Sequence, residues 1–177
     1  MFGGADSGAP ALVPADIEIS NNYFFKPLSL IPTKYTVKNL LEFKAARRAL
    51  VVGNRFENNP AKAQNGFAVL VTPRNQSGTA PWSGTSDIAI TDNVLINVGS
   101  GINIAGGDNI HPTTRTERIL VRNNVIGVTG LNGADGRAFQ FMPVRSRARK
   151  RRCRRESQIE KANIPCRWRT ISGPWVS

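Results

Sequence analysis

The sequence has few of the residues that usually support catalysis or metal binding. Its 177 residues include one histidine and two cysteines, and both cysteines, Cys153 and Cys166, lie in the segment 142–177. Neither a CxxC pair nor a Cys/His spacing typical of zinc is present. The rest of the chain therefore offers no thiol for a disulfide, a nucleophile or a metal site, and we expect no bound metal.

Long hydrophobic runs and targeting signals are also missing. No segment approaches the roughly 18 apolar residues needed to span a bilayer. The first ten residues, MFGGADSGAP, lack the basic and apolar regions of a signal peptide. Phosphate-binding, dinucleotide-binding and nucleophilic-serine motifs are absent, which argues against nucleotide chemistry, hydride transfer and acyl transfer through serine.

Acidic residues are scarce in only one part of the chain. Residues 1–141 contain 13 Lys and Arg against 10 Asp and Glu, whereas residues 142–177 contain 11 against 2. Eight of the eleven residues in 145–155 are basic, and such a dense block of like charge is typical of a disordered tail. Three interpretations of this tail stay open: a nucleic-acid-binding or nuclear-targeting arm, a solvated tail, and the product of a shifted reading frame.

The most informative feature that is present is a repeat. Four segments share one template, with apolar residues at positions 1, 3 and 8, Asn, Asp or Gly at position 5, and Asn at position 6. They read IEISNNYF, ALVVGNRF, IAITDNVL and ILVRNNVI. The asparagines at position 6 are Asn22, Asn54, Asn93 and Asn124, separated by 32, 39 and 31 residues. This spacing indicates a repeat architecture.

The two residues at positions 5 and 6 predict a sharp corner between two strands. Asn, Asp and Gly tolerate the left-handed backbone conformation that such a corner needs. Stacked at the strand spacing of about 4.8 Å, the asparagines could also hydrogen-bond along the stack as a ladder. Four unrelated hairpin turns are the alternative, and the shared flanking pattern argues against it.

A second set of alternating segments lies between the corners: LLEFK, GFAVLV, GINIAG and AFQF. Alternation over short runs predicts strands, and no helical period of useful length occurs. Each repeat is therefore a strand, a corner, a short strand, a loop and a further strand. The segments resemble the right-handed parallel β-helix repeats of the pectate-lyase-like superfamily over residues 1–141.

The resemblance implies an all-β, right-handed, single-stranded parallel β-helix of about four coils. The charge block separately predicts that the basic tail 142–177 is disordered. Gly3 and Gly4 match Gly106 and Gly107 before a corner strand, so we expect the chain to begin inside a coil of a longer protein; a natural short N-terminal cap is the alternative. Uncapped coils leave open strand edges, which predicts marginal stability and end-to-end self-association. The family further implies an extracellular or cell-envelope location.

The same resemblance places a polysaccharide substrate on one outward sheet face and its neighbouring loops. Residues alternating with the predicted core face outward there and could bind sugar hydroxyls, although a solvated sheet needs polar residues as well. The inward set is Leu41, Phe43, Phe67, Val69, Ile102, Ile104, Phe139 and Phe141, and the outward set is Glu42, Lys44, Thr72, Asn103 and Gln140.

Two loops add candidate residues. The loop 72–84 carries Arg74 and Asn75 as hydrogen-bond donors and Trp82, which would stack on a sugar ring if exposed and would pack on the solenoid if not. The loop 106–118 carries Asp108, the single histidine His111, and Arg115. Asp108 and His111 could form an acid/base pair or a loop hydrogen bond.

Catalysis has weak support. Glycoside hydrolysis needs two carboxylates about 5 to 9.5 Å apart, and Glu42 is the one clear carboxylate of the chosen face. Calcium-assisted elimination, which the family implies, needs an acidic cluster, but Asp87, Asp92 and Asp108 are spread over separate segments. We expect a catalytically incomplete fragment of a secreted-type protein that binds or processes polysaccharide. The alternative is a non-enzymatic surface or structural solenoid that binds a partner through its loops.

Overall fold

The structure is a computed structural model that describes residues 1–144. Two predictions concern the basic tail 142–177: that it is disordered and that it binds nucleic acid. Residues 145–177 of this tail lie outside the described residues. The described residues form twelve strands and two 3-10 helices, Pro10–Leu12 and Leu28–Leu30. The strands are β1 Ala15–Ser20, β2 Tyr23–Phe25, β3 Leu41–Phe43, β4 Ala46–Val52, β5 Arg55–Asn59, β6 Phe67–Val71, β7 Thr85–Thr91, β8 Val94–Val98, β9 Ser100–Ala105, β10 Glu117–Arg122, β11 Val125–Val128 and β12 Phe139–Met142.

The strands build three parallel sheets, and each sheet takes every third strand of the chain. Sheet A contains β3, β6, β9 and β12; sheet B contains β1, β4, β7 and β10; sheet C contains β2, β5, β8 and β11. All pairs between neighbours are parallel. The predicted all-β parallel repeat is thus confirmed, and the arrangement is consistent with a β-solenoid.

The core lies between the three sheets. Because successive side chains of a strand point to opposite faces, each strand contributes alternate residues to this interior. Its largest fully buried side chains include Phe43, Phe56, Ile90, Leu95 and Ile102. Equivalent aromatic residues stack between neighbouring strands, as Phe24 and Phe56 do with ring centroids 4.7 Å apart.

The corners between sheets B and C have the backbone that their residue types predict. The residues at position 5, Asn21, Gly53, Asp92 and Asn123, have φ of 54°, 66°, 57° and 54°. A left-handed residue turns the chain from one sheet into the next without ending the stack. The neighbouring residues at position 6 fall into one column.

This column is a hydrogen-bonded ladder. Oδ1 of Asn54 accepts two hydrogen bonds from Asn22, one from the backbone N–H at 2.9 Å and one from the side-chain Nδ2 at 3.1 Å. Asn54 donates in the same way to Asn93, and Asn93 to Asn124. The amides also donate to carbonyls of the strands of sheet B, so the column fastens each corner to the end of that sheet.

The last strand departs from the predicted burial. Phe139 and Phe141 are in register with the buried Ile102 and Ile104 of β9, yet they are 41% and 72% exposed. Strand β12 is the edge of sheet A, and no strand of the described residues covers it. Their expected place in the core is therefore wrong, because no strand or bridge in residues 1–144 covers them as Phe2 covers Phe43 at the opposite edge of the sheet.

Candidate functional site

The outer face of sheet A holds five of the predicted ligand-binding positions, and they follow the predicted register. Glu42 pairs with Leu70, Leu70 with Asn103, and Asn103 with Gln140, in four successive strands. Lys44 follows the end of β3 and Thr72 the end of β6. The structure thus brings Glu42, Asn103 and Gln140 into one row across the sheet.

The five polar positions of this outer face are less exposed than the residues of a solvated sheet face should be. Glu42, Thr72 and Asn103 are 9%, 6% and 6% exposed, whereas Lys44 and Gln140 are half-buried. Side chains of adjacent strands stand close enough to shield one another. The Oδ1 atom of Asn103 is fully buried and has no hydrogen-bond donor. This unpaired oxygen is the most unusual feature of the face.

The loop 72–84 and the loop 106–118, whose last two residues begin β10, are joined through Asp108. Its Oδ2 accepts the backbone N–H of Asn75 at 3.0 Å, and its Oδ1 accepts Nη1 of Arg74 at 2.8 Å and the backbone N–H of Ile110 at 2.9 Å. Burial raises the pKa of Asp108, but these hydrogen bonds and the Arg74 charge outweigh it and hold the pKa below its ordinary value. Asp108 is therefore an ionised structural acceptor.

Asn75 is a second tie between the same loops. Its Nδ2 donates to the carbonyl of Pro112 at 2.8 Å, and its Oδ1 accepts the backbone N–H of Ala80 at 2.9 Å. The side chain is fully buried. The sequence predicts that Asn75 binds substrate, but the structure uses both ends of its amide within the protein.

Asp108 and His111 do not form the suggested acid/base pair. No hydrogen bond joins them in the described part of the chain, and the imidazole of His111 instead lies against Gly78, where an added Cβ would be 3.0 Å from Nδ1. Arg115 is exposed on the same loop. The loop thus places His111 against loop 72–84.

Trp82 is tied to the N-terminal segment. Its indole Nε1 donates to the hydroxyl of Ser7 at 3.0 Å, and the side chain is half-buried. Next to it, Asp6 Oδ2 accepts the backbone N–H groups of Ser77 and Thr79 at 3.0 and 3.1 Å. These contacts hold the second half of loop 72–84 against the N-terminal segment. Trp82 therefore packs partly on the protein itself.

A column of alternating charge runs along sheet B, and the sequence analysis missed it. Arg48 binds Asp16 through two hydrogen bonds of 2.6 and 2.8 Å, and Arg118 binds Asp87 through two of 2.5 and 2.8 Å. The Arg118 hydrogen bond lowers the pKa of Asp87 to about 2. All four residues have φ between 51° and 58°. The signal was present, because Asp, Arg, Asp and Arg directly precede the four template segments.

Lys26 is another residue that pattern analysis did not select. Its Nζ donates to the carbonyl of Asn39 at 2.7 Å and to Oδ1 of Asn59 at 3.2 Å. Burial lowers its pKa to about 8. Because its donors point at protein oxygens, Lys26 holds the loop after β2 against the end of β5.

The described residues do not fit the calcium that the family resemblance implies. Residues 1–144 contain no group of three or more His, Cys, Asp or Glu side chains placed to hold a metal ion. Asp87 is paired with Arg118, Asp92 occupies a corner, and Asp108 is saturated by loop donors. No helix in the described part is long and apolar enough to cross a membrane.

Comparison with known proteins adds no relative. No protein-family description, curated protein or solved structure matched the chain.

Proposed function

We propose that the chain forms a right-handed parallel β-helix of four coils, of the pectate-lyase-like kind, that binds polysaccharide on the outer face of sheet A without cleaving it. The three parallel sheets and their corner asparagines support the architecture. An extracellular or cell-envelope location belongs to the same proposal, since it follows from the family resemblance.

One observation carries the binding proposal: the unpaired Oδ1 of Asn103. A buried amide oxygen without a donor costs about 1–3 kcal/mol, and Asn103 is 6% exposed. A sugar hydroxyl is a donor of suitable size for this oxygen, and it reaches the buried atom only if the side chains that cover Asn103 move aside. The half-buried amide of Gln140 lies in the next strand of the same row, so one ligand could contact both.

The carboxylates argue for binding without cleavage. Hydrolysis needs an acid and a second carboxylate about 5 to 9.5 Å apart. In the described part, Glu42 is the one acidic side chain in the strands of sheet A, and the loop carboxylate Asp108 is held by three protein donors. Within residues 1–144, sheet A and the loop carboxylate Asp108 therefore offer no second free carboxylate to share the chemistry with Glu42.

Asn103→Leu tests this proposal, because leucine already occupies the neighbouring row position as Leu70. Calorimetric titration of the full chain with polygalacturonate and with a neutral glucan should detect binding to one of them. The variant should lose that binding while its melting temperature stays equal or rises, since an apolar side chain removes the unpaired oxygen.

Thr91→Val is the matched control, since it makes a buried outward position of sheet B apolar. It should leave binding unchanged. Equal affinity of Asn103→Leu and the unmodified chain would contradict the proposal. Failure of the full chain to bind either polymer would favour the second candidate, a non-enzymatic structural or surface solenoid that binds a partner through its loops. That candidate is supported by the loops fastened through Asp6, Asn75 and Asp108.

A further inference from the structure

The stack of strands has two different ends. Strands β1, β2 and β3 form the edges of the three sheets at one end, which we call the head, and β10, β11 and β12 form them at the other, the tail end. An edge strand presents unpaired N–H and C=O groups that can pair with another chain. At the head, β3 is partly paired already, because Phe2 donates to the carbonyl of Glu42 and accepts the backbone N–H of Lys44. Because all pairs are parallel, the two ends offer complementary edges.

The asparagine ladder gives the stack a direction. Each Oδ1 accepts the backbone N–H of the asparagine nearer the head. Within residues 1–144, Oδ1 of Asn22 at the head therefore has no donor, and the backbone N–H of Asn124 at the tail end has no acceptor. A tail end placed on a head would bring this donor and acceptor into the same ladder geometry.

The charge column has the same direction. It begins with Asp16 at the head and ends with Arg118 at the tail end. Strand β1 carries Asp16 and Glu18 and no basic residue, whereas β10 carries Arg118 and Arg122 against Glu117. Stacking tail end on head continues the alternation, with Arg118 of one copy next to Asp16 of the other.

Apolar side chains at the two ends also correspond. Phe141 is 72% exposed and Val125 is 63% exposed at the tail end, and Tyr23 is 57% exposed at the head. The sheet registers place Phe141 in the column that starts at Phe2, and Val125 in the column that starts at Tyr23. A cavity of about 420 Å³ at the tail end is lined by Ile104, Ile119, Phe141 and Met142, among others.

We propose that a second copy of this chain docks head to tail, with β1 and β2 of one copy adding to β10 and β11 of the other, and with Phe2, which covers β3 at the head, meeting β12. The contact is heterologous, so it can repeat and form open chains of copies. Contacts between like ends are disfavoured, because two heads would oppose acidic strands and two ladder acceptors. This inference is independent of polysaccharide binding.

Two variants inactivate one end each. Glu18→Lys places a cation between the registers of Arg118 and Arg122 of the docking copy, and Glu18 is exposed with no ion pair in the described part. Phe141→Lys places a charge in the apolar contact at a side chain that is already 72% exposed. Both should fold, which circular dichroism melting can verify.

Sedimentation velocity of the full chain should show association that increases with protein concentration and weakens with salt. Each variant alone should be monomeric, whereas an equimolar mixture should form a dimer, because Glu18→Lys keeps a working tail end and Phe141→Lys keeps a working head. A monomeric unmodified chain at all concentrations, or a mixture that stays monomeric, would overturn the proposal.

A second pair of variants tests the charge column. Asp16→Asn and Asp87→Asn make the same chemical change at two left-handed positions, with φ of 58° and 57°. Only Asp16 lies at the head. Asp16→Asn should weaken association about two- to fivefold, as expected for an exposed charge pair, and Asp87→Asn should weaken it less. A larger loss of association in Asp87→Asn than in Asp16→Asn would contradict a contact made through the head.

Discussion

The backbone N–H and Nδ2 of Asn54 both donate to Oδ1 of Asn93, at 2.9 and 3.0 Å. Asn54 and Asn93 are 1% and 0% exposed. Nδ2 of Asn93 also donates to the carbonyls of Val51 and Thr91. One side chain therefore satisfies polar groups of two neighbouring strands at a buried corner.

Asn93→Ala should be strongly destabilising. The substitution leaves buried carbonyls and the N–H of Asn54 without partners, so we expect a loss of about 3 kcal/mol in the free energy of unfolding. Asn22→Ala, at the exposed end of the same ladder, should cost about 1 kcal/mol. Urea denaturation of both variants checks the comparison, and equal losses would contradict a ladder whose strength depends on burial.

Gly53 should tolerate asparagine better than valine. Its φ is 66°, and an added Cβ would lie 2.6 Å from Oδ1 of Asn21, which must move in either variant. The left-handed backbone costs a β-branched residue about 1–2 kcal/mol, whereas Asn21 and Asn123 already adopt it at equivalent corners. Thermal melts should therefore place Gly53→Val below Gly53→Asn. The opposite order would show that space rather than backbone conformation limits this site.

The charge column should contribute stability that depends on pH. Arg118 lowers the pKa of Asp87 to about 2 in the folded protein, below the unfolded value of about 3.9. The folded state therefore binds fewer protons, and the contribution is complete above about pH 4 and is lost as pH falls through about 2.

Melting temperatures measured between these pH values check this prediction. They should fall less steeply for Asp87→Asn than for the unmodified chain, because the variant lacks the titrating group. Parallel curves for the two proteins would mean that the Asp87 ion pair adds no stability.

Asp108→Asn should loosen loop 72–84 more than it destabilises the fold. The amide cannot reproduce the charged acceptor that joins Arg74, Asn75 and Ile110, and hydrogen bonds to a charged group contribute about 1.5–3 kcal/mol. Limited trypsin digestion should cut after Arg74 about tenfold faster or more in the variant.

Asp92→Asn is the control for this experiment, since asparagine suits the left-handed corner. It should leave the cleavage rate after Arg74 unchanged. Equal cleavage rates in Asp108→Asn and the unmodified chain would mean that Asp108 does not hold the loop.

The sequence was most informative where a residue's own backbone preference decides the structure. Asn, Asp and Gly at position 5 indicated left-handed corners, and all four have positive φ. The charge column shows the limit of this argument. Arg48 and Arg118 adopt the same conformation without any intrinsic preference for it, because the ion pairs and the stacked strands hold them there.

The candidate site was harder to predict because its residues meet only through the stack. Arg74, Asn75 and Trp82 were selected as ligand contacts from their chemistry. In the folded chain their polar groups face Asp108, Pro112 and Ser7, residues more than 30 positions away. Their sequence neighbours carry no sign of these partners.

The sequence alone determined the strands, the corners and their period, because alternation of apolar residues and left-handed tolerance are properties of short segments. Tertiary structure decided which positions of the pattern are covered: Phe43 is fully buried, while Phe141 in the same column is exposed. It also decided which loop carboxylate is neutralised by which donor. Burial and pairing depend on the neighbouring layers of the stack, and no single repeat encodes its neighbours.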